Sequence, residues 1–83
     1  MFLARVFITL KPTVNDPEGR TIMSGLHEMG FNAVSNVRSG TYMEVSLNVD
    51  SEVGAEREIR SMCDKLLANP VIEEYRYELQ PAG

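Results

Sequence analysis

Alternating hydrophobic and polar residues predict four β-strands in this chain. In residues 3–10 every even position is apolar, and in residues 42–49 every odd position is apolar. Residues 71–79 follow the same period, and residues 32–38 follow it weakly. A period of two places successive side chains on opposite faces of a strand, so each segment has one face suited to a core.

A first helix is predicted between the first two strands. Asp16 is a suitable N-cap, Pro17 fits the first helical position, and Gly30 can close the helix in a left-handed conformation. The apolar residues Ile22, Leu26 and Met29 recur at helical spacing, which predicts one apolar face.

A second helix is predicted from Asp50 or Ser51, either of which can cap it, to about residue 68. Asn69 can adopt the left-handed conformation, and Pro70 prevents the helix from continuing. The predicted apolar stripe comprises Ala55, Ile59, Met62, Cys63, Leu66 and Leu67.

The order strand, helix, strand, strand, helix, strand predicts a ferredoxin-like α+β fold, with an antiparallel sheet and two helices on one face. The second and third strands would form a hairpin at residues 39–40. We expect residues 1–80 to form one domain and residues 81–83 to form a disordered tail. The face without helices carries Leu3, Arg5, Phe7, Tyr42 and Glu44, a mixture that suggests packing against a second chain.

Composition narrows the classes of function. The 83 residues carry a net charge of −4, which disfavours nucleic-acid binding. One cysteine and one histidine exclude an internal disulfide and argue against a zinc site. No leader and no apolar run long enough to span a bilayer is apparent, so we expect a cytoplasmic protein without membrane association. A domain this small commonly gains stability by self-association.

Individual side chains do not predict a catalytic site, a cofactor site or a metal site. His27 has the pattern of an exposed helical histidine, and Cys63 that of a buried structural thiol beside an acid. Arg38, beside a turn, could bind a phosphate or carboxylate, pair with Glu44, or contact a protein partner. Tyr75 and Tyr77 are typical of core or interface rings.

Three segments resemble the PurS family, the small subunit of the multi-subunit phosphoribosylformylglycinamidine synthase of bacteria and archaea. They are VFITLKPTVNDPEGRTI (residues 6–22), LHEMGFNAVSNVRSGTYMEV (residues 26–45) and KLLANPVIEEYRYE (residues 65–78). Together they cover most of the chain in the family's order and spacing. Thr41 departs from the family, which usually has lysine after this glycine.

The resemblance implies an assembly subunit that is not catalytic alone. The family's complex converts formylglycinamide ribonucleotide, glutamine and ATP to formylglycinamidine ribonucleotide, ADP, phosphate and glutamate. It implies a PurL-type synthetase partner that holds ATP and Mg²⁺, a PurQ-type glutaminase partner, and a dimer or tetramer of this chain that links them. The last strand would pair with a neighbouring chain.

The resemblance and the residue pattern together suggest which side chains form interfaces. We expect Phe7, Tyr42, Tyr75 and Tyr77 to serve self-association, and Arg38 and Arg76 to contact the two larger subunits.

Two other classes of function remain open. One is a dimeric ferredoxin-like domain that senses small molecules, although such domains usually have a glycine-rich turn after the first strand, and residues 11–15 contain no glycine. The other is an autonomous enzyme with a site built across a dimer from Arg38, His27 and carboxylates.

Overall fold

The computed structural model describes residues 1–82, which form three β-strands and two α-helices. The elements are β1 (Phe2–Leu10), α1 (Pro17–Glu28), β2 (Gly40–Leu47), α2 (Glu52–Met62) and β3 (Glu73–Pro81), with a π-helical turn, Cys63–Leu67, directly after α2. The predicted α+β class, with an antiparallel sheet and two helices, is confirmed.

The three strands form one sheet in the order β2, β1, β3, and both pairs of neighbours are antiparallel. Val6 of β1 lies between Met43 of β2 and Tyr77 of β3. Phe7, the next residue, points to the opposite side of the sheet. We refer to the side that contains Val6 as the helix face and to the side that contains Phe7 as the open face.

A small hydrophobic core lies between the helix face and α2. Ser51 caps α2, because its hydroxyl oxygen accepts a hydrogen bond from the Gly54 amide at 3.0 Å. The buried core residues are Ala4, Val6, Ile8, Leu47, Ala55, Ile59, Cys63 and Ala68. They come from β1, β2, α2 and the turn after α2. Within residues 1–82, α1 contributes none of them.

The π-helical turn changes which side chains α2 and its continuation bury. The Ala68 amide donates to the Cys63 carbonyl at 3.1 Å, a span of five residues instead of the four of an α-helix. As a result Ala68 is buried and Leu66 is 83% exposed. The prediction that Leu66 belongs to the apolar stripe is wrong, whereas Ala55 and Ile59 are buried as predicted.

The chain leaves this helix without a left-handed residue, so the prediction for Asn69 is wrong. Ala68 is already extended, with φ −124° and ψ 150°, and no residue other than glycine has a positive φ in residues 1–82. The Asn69 side chain organises the turn instead. Its Oδ1 accepts a hydrogen bond from the Val71 amide at 3.1 Å.

The ends of α1 form as predicted. The Asp16 carboxylate accepts a hydrogen bond from the Gly19 amide at 2.9 Å, and Pro17 is the first helical residue. After the helix Gly30 has φ 95°, a conformation that glycine adopts without steric cost.

The apolar face of α1 is not buried within the chain, although the fold prediction placed both helices against the sheet. Gly19 is the one residue of α1 that is buried. Ile22 and Met29 are 43% and 74% exposed. The Cα atoms span 50 × 29 × 14 Å, so the molecule is long and thin. We refer to α1 and the segment that returns from it, residues 17–39, as the arm.

The predicted strand at residues 32–38 is not formed, so the sheet has three strands instead of four in the described chain. This segment follows α1, since His27 Nε2 donates to the Val34 carbonyl at 2.8 Å. Its asparagines and serine are poor strand formers. The predicted hairpin turn is also absent, because the Ser39 amide binds the Asp16 carboxylate at 2.8 Å.

The last strand begins and ends two residues later than predicted, at Glu73–Pro81. Pro81 lies opposite Phe2 in the sheet, and the Ala82 amide donates to the Met1 carbonyl at 2.8 Å. Residues 81 and 82 therefore extend the pairing with β1, and are not the disordered tail that was predicted. Gly83 lies outside the described residues.

Candidate partner-binding surfaces

The centre of the open face is a row of three side chains, one from each strand. Phe7 of β1 lies between Tyr42 of β2 and Arg76 of β3. The Phe7 and Tyr42 ring centroids are 5.2 Å apart, with 45° between the ring planes. The Arg76 guanidinium carbon lies 4.0 Å from the Phe7 centroid. Both distances suit favourable aromatic and cation–π contacts, so three of the predicted interface residues form one continuous row.

Charged residues of alternating sign adjoin this row. The Tyr42 hydroxyl donates to Glu44 Oε2 at 2.7 Å, and this hydrogen bond raises the pKa of Tyr42. Arg76 Nη1 lies 3.4 Å from Glu78 Oε2. In the next row of the sheet, Arg5 lies between Glu44 and Glu78. The open face therefore combines an aromatic centre with mixed charge, a composition that suits the exposed part of a protein interface.

Tyr75 and Tyr77 lie on the helix face, so the four aromatic residues predicted for self-association do not share one surface. The Tyr77 hydroxyl donates to Glu56 Oε1 at 3.0 Å and accepts from Arg60 Nε at 2.9 Å. The Tyr75 hydroxyl donates to Asp64 Oδ1 at 3.3 Å. Burial, and then the nearby Asp64 carboxylate, raise the pKa of Tyr75. Both tyrosines connect β3 to the helical layer.

Arg38 lies at the base of the arm and binds the backbone of its own chain. Its guanidinium donates to the carbonyl oxygens of Leu10 at 3.3 Å, Lys11 at 3.0 Å and Val14 at 3.2 Å. These carbonyls belong to the end of β1 and to the loop after it. Arg38 therefore ties the returning end of the arm to its starting loop, and it binds these carbonyls rather than Glu44.

Asp16 closes the base of the arm from the other side and is only 4% exposed. One carboxylate oxygen accepts from the Gly19 amide at 2.9 Å and the other from the Ser39 amide at 2.8 Å, while the Ser39 hydroxyl donates to both at 3.1 and 3.2 Å. The hydrogen bonds from the Gly19 and Ser39 amides lower the pKa of Asp16, and Arg38 lowers it further. The N-cap pattern predicted the first bond, but no spacing pattern indicated the bond to Ser39.

An open depression of about 410 Å³ adjoins this base. Its lining includes Ile8 and Leu10 of β1, Thr41 of β2, Glu73 of β3, and Asp16. The Asp16 carboxylate is already saturated by hydrogen bonds from the arm. The depression therefore exposes part of the helix face that α2 does not cover.

Cys63 and His27 are the side chains best suited to nucleophilic or acid–base chemistry, and both are engaged in contacts within the chain. Cys63 is fully buried, and burial, with a smaller effect of Asp64, raises the pKa of its thiol. His27 is hydrogen-bonded to a backbone carbonyl of the arm. In the described part of the chain, no three His, Cys, Asp or Glu side chains are grouped to hold a metal ion. None of its helices has the length and apolar character needed to cross a membrane.

Comparison with known proteins identifies relatives along nearly the whole chain. The family model described as PurS, phosphoribosylformylglycinamidine (FGAM) synthase, matches residues 3–81. The chain is 45% identical over 75 residues to the phosphoribosylformylglycinamidine synthase subunit PurS of Synechocystis sp.. This alignment covers 90% of this chain and 75% of that relative.

Solved structures share the fold. Methanocaldococcus jannaschii PurS, one of the subunits of formylglycinamide ribonucleotide amidotransferase in the purine biosynthetic pathway, is 38% identical, with a TM-score of 0.90 and 100% coverage of both chains. A chain in the structure of PurLQS from Thermotoga maritima is 26% identical, with a TM-score of 0.86, 96% coverage of this chain and 99% of that chain. These matches span both the sheet and the arm, and the chain therefore belongs to the PurS family.

Proposed function

We propose that this chain is the small, non-catalytic subunit of phosphoribosylformylglycinamidine synthase and acts in purine biosynthesis. In this role it links a PurL-type synthetase subunit to a PurQ-type glutaminase subunit. The observation that carries the proposal is the likeness to a chain of the Thermotoga maritima PurLQS structure over 96% of this chain. The match of the PurS family model to residues 3–81 supports it independently.

The reactive side chains are buried or hydrogen-bonded within the chain, which supports a subunit that does not catalyse the reaction itself. Cys63 is buried, and Asp16 is saturated by hydrogen bonds within its own chain. Under this proposal ATP and Mg²⁺ bind the large partner subunit, and this chain binds no cofactor. The ligase chemistry, with glutamine as the nitrogen donor, likewise takes place on the partners.

We further propose that the chain self-associates through the apolar face of the arm. Ile22 and Met29 are exposed in the single chain, and Phe31 after the helix is exposed as well. Apolar residues in one helical stripe are normally covered in the functional state of a protein. A second copy carries the part of the helix face that α2 does not cover, in the open depression lined by Leu10, Thr41 and Glu73.

The open face remains available to a further partner in such an assembly. Phe7, Tyr42 and Arg76 form its centre, and aromatic and arginine side chains are common at the energetic centres of interfaces. Their predicted use in interfaces stays a prediction, as does that of Arg38. A shared last strand between chains and a cytoplasmic location also stay predictions.

The proposal is tested by reconstituting the chain with its cognate synthetase and glutaminase in the presence of glutamine, ATP and Mg²⁺. We expect amidine formation from glutamine to require all three proteins. Ammonium chloride replaces glutamine in a parallel assay. Turnover from free ammonia should depend far less on this chain, because a linking subunit is needed chiefly to bring the glutaminase to the synthetase. Glutamine-dependent turnover that is the same with and without the chain would refute the proposal.

A further inference from the structure

The arm carries a continuous apolar stripe that its own chain leaves uncovered. Ile22, Leu26 and Met29 follow one another at intervals of four and three residues, so their side chains lie side by side on one face of α1. The Met29 amide still donates to the Gly25 carbonyl at 3.1 Å, as in an α-helix, which keeps Met29 in line with the stripe. Leu26 is half-buried, and the two outer residues are exposed.

Gly25 lies on the same side of α1, and the described residues give no reason for its lack of a side chain. It comes three residues after Ile22 and four before Met29, so it adjoins both on the helix surface. In residues 1–82, no atom other than those of its chain neighbours and of the helix backbone lies within 4 Å of the place that a Cβ on Gly25 would occupy. Glycine weakens the interior of a helix. A second surface that approaches α1 closely at Gly25 would account for it.

Gly19, at the start of the same helix, differs from Gly25 because its own chain explains it. A Cβ on Gly19 would clash with the Val37 carbonyl oxygen. Gly19 therefore lets the return segment pack directly against α1. This contact and the hydrogen bonds of Asp16 and Arg38 hold the arm in one direction. A surface that is fixed before binding loses little conformational entropy on association.

The helix face of the sheet has a gap that matches the arm. In the predicted ferredoxin-like fold two helices cover this face, whereas within residues 1–82 α1 adds no residue to the buried core. The depression of about 410 Å³ marks the uncovered part, and its lining includes Ile8 and Leu10 of β1 and Thr41 of β2. The chain thus has one helix without a sheet surface and one sheet surface without a helix.

We propose that two copies of this chain exchange arms, so that α1 of each lies on the helix face of the other with Gly25 at the closest contact. This inference rests on the proposed self-association and defines its geometry. The arm leaves the sheet at the rim of the depression, since Asp16 and Ser39 both line it. Two copies related by a two-fold axis beside this rim each place an arm on the other's depression. Because each copy gives one arm and receives one, the contact closes at two chains and does not continue as a filament.

A second copy is favoured over an unrelated protein because both uncovered surfaces belong to the same molecule. An unrelated protein bound to the arm would leave the depression open, and one bound in the depression would leave the arm exposed. Reciprocal exchange covers both surfaces in a single contact. Exchange of an identical element between protomers is also a low-cost route to a dimer, since it uses contacts that the fold could otherwise make within one chain.

The test places one substitution on each of the two surfaces. Gly25→Gln adds a long, uncharged side chain that favours helix formation, at the proposed closest contact. Leu10→Glu places a charge in the depression, and Leu10→Ser replaces it if that variant does not fold. Ser24→Gln is the matched control, because it adds the same side chain to the neighbouring residue, which faces away from the apolar stripe. Sedimentation measures self-association, and circular dichroism checks folding.

We expect Gly25→Gln and Leu10→Glu each to weaken self-association at least about tenfold, whereas Ser24→Gln should associate like wild type. An equimolar mixture of the Gly25→Gln and Leu10→Glu chains should associate more tightly than either variant alone. In a mixed pair the unchanged arm of one copy meets the unchanged depression of the other, so one of the two contacts remains intact.

Three results would overturn the inference. Self-association of Gly25→Gln at wild-type strength would remove Gly25 from the contact. A mixture that associates no more tightly than its components would exclude exchange between the arm and the depression. Either result would leave the self-association of the wild-type chain and its linking role intact. A wild-type chain that is monomeric at every concentration would overturn the proposed self-association together with this inference, while the reconstitution assay would still test the linking role.

Discussion

The Asp16 carboxylate accepts a 2.8 Å hydrogen bond from the Ser39 amide, and so joins positions 23 residues apart. Asp16 precedes α1, and Ser39 precedes β2. The two ends of the arm are therefore fastened to each other at the point where both leave the sheet. Arg38 strengthens the same junction by binding three carbonyls, one at the end of β1 and two in the loop after it. The direction in which α1 projects is set here, because α1 has little other contact with the core.

Substitutions at this junction should destabilise the protein in a graded order. Asp16→Ala removes the helix cap and the bond to Ser39, and we expect a fall in melting temperature of about 4–8 °C. Asp16→Asn keeps a capping oxygen but places an amide group near donors, so its effect should be intermediate. Ser39→Ala removes only the hydroxyl and should have the smallest effect. Thermal unfolding of the three variants checks this order, and equal effects would contradict it.

The Asp16 carboxylate should make the stability of the folded state depend on pH. Folding lowers the pKa of Asp16 below its ordinary value of 3.8, so the ionised form is favoured in the folded state. The resulting stabilisation is complete above about pH 5 and is lost as pH falls through 3.8 towards the folded-state pKa. The difference in melting temperature between wild type and Asp16→Asn should therefore narrow as pH is lowered from about 6 to about 3. A difference that stays constant over this range would show that the Asp16 charge is not involved.

Cys63 should be inert towards thiol reagents until the chain unfolds. It is fully buried, and burial raises the pKa of its thiol, so little reactive thiolate is available at neutral pH. Labelling kinetics at neutral pH should be slow in buffer and fast in denaturant. The variant Cys63→Ala/Leu66→Cys provides the control, because its cysteine occupies an exposed position and should label rapidly without denaturant. Rapid labelling of the folded wild-type chain would contradict the assigned burial.

Tyr77→Phe should lower the free energy of unfolding by about 0.5–1.5 kcal/mol, the usual net contribution of a hydrogen bond. The substitution keeps the ring on the helix face but removes the hydroxyl that connects Glu56 and Arg60 to β3. Tyr75→Phe is the matched control, since its hydroxyl makes one longer bond, to Asp64 at 3.3 Å, and it should have a smaller effect. Urea unfolding of both variants measures the difference. A larger loss for Tyr75→Phe would contradict this account.

Stability should depend on protein concentration if a second copy covers α1. Association stabilises the folded state by mass action, so the melting temperature of wild type should rise with concentration. Met29→Glu, on the exposed apolar face, should weaken self-association at least about tenfold and remove most of this rise. Ser24→Glu, on the opposite side of the same helix, is the control and should behave like wild type. A wild-type melting temperature independent of concentration would count against association through the arm.

Local sequence patterns predicted the parts of the fold that depend on local chemistry. The strand alternation, the Asp16 and Ser51 caps and the left-handed Gly30 all follow from neighbouring residues and recur in the structure. The exposure of Leu66 could not be predicted from the spacing of apolar residues in α2. The π-helical turn Cys63–Leu67, which includes the hydrogen bond from the Ala68 amide to the Cys63 carbonyl, shifts the helical register, and apolar spacing does not reveal such a shift.

Periodicity also identifies an apolar face without identifying what covers it. Ile22 and Met29 were correctly placed on one face of α1, but in the single chain that face is exposed. The segment that returns from α1 is a second example. Val34 and Val37 suggest a strand, but the hydrogen bond between Ser39 and Asp16 holds the segment at the base of the arm instead. Whether the apolar face of α1 is covered, and whether the return segment forms a strand, both depend on residues far apart in sequence. A local period contains no information about such contacts.

The backbone ends of the described chain are neighbours, since the Ala82 amide binds the Met1 carbonyl at the end of the sheet opposite the base of the arm. A short linker that joins residue 82 to residue 1 would close the described backbone into a ring without moving a strand. New termini could then be opened in the loop between β2 and α2, giving a circular permutant with the same sheet order. Fluorophores attached at Met1 and at Ala82 would lie side by side at the end of the sheet that is opposite the base of the arm.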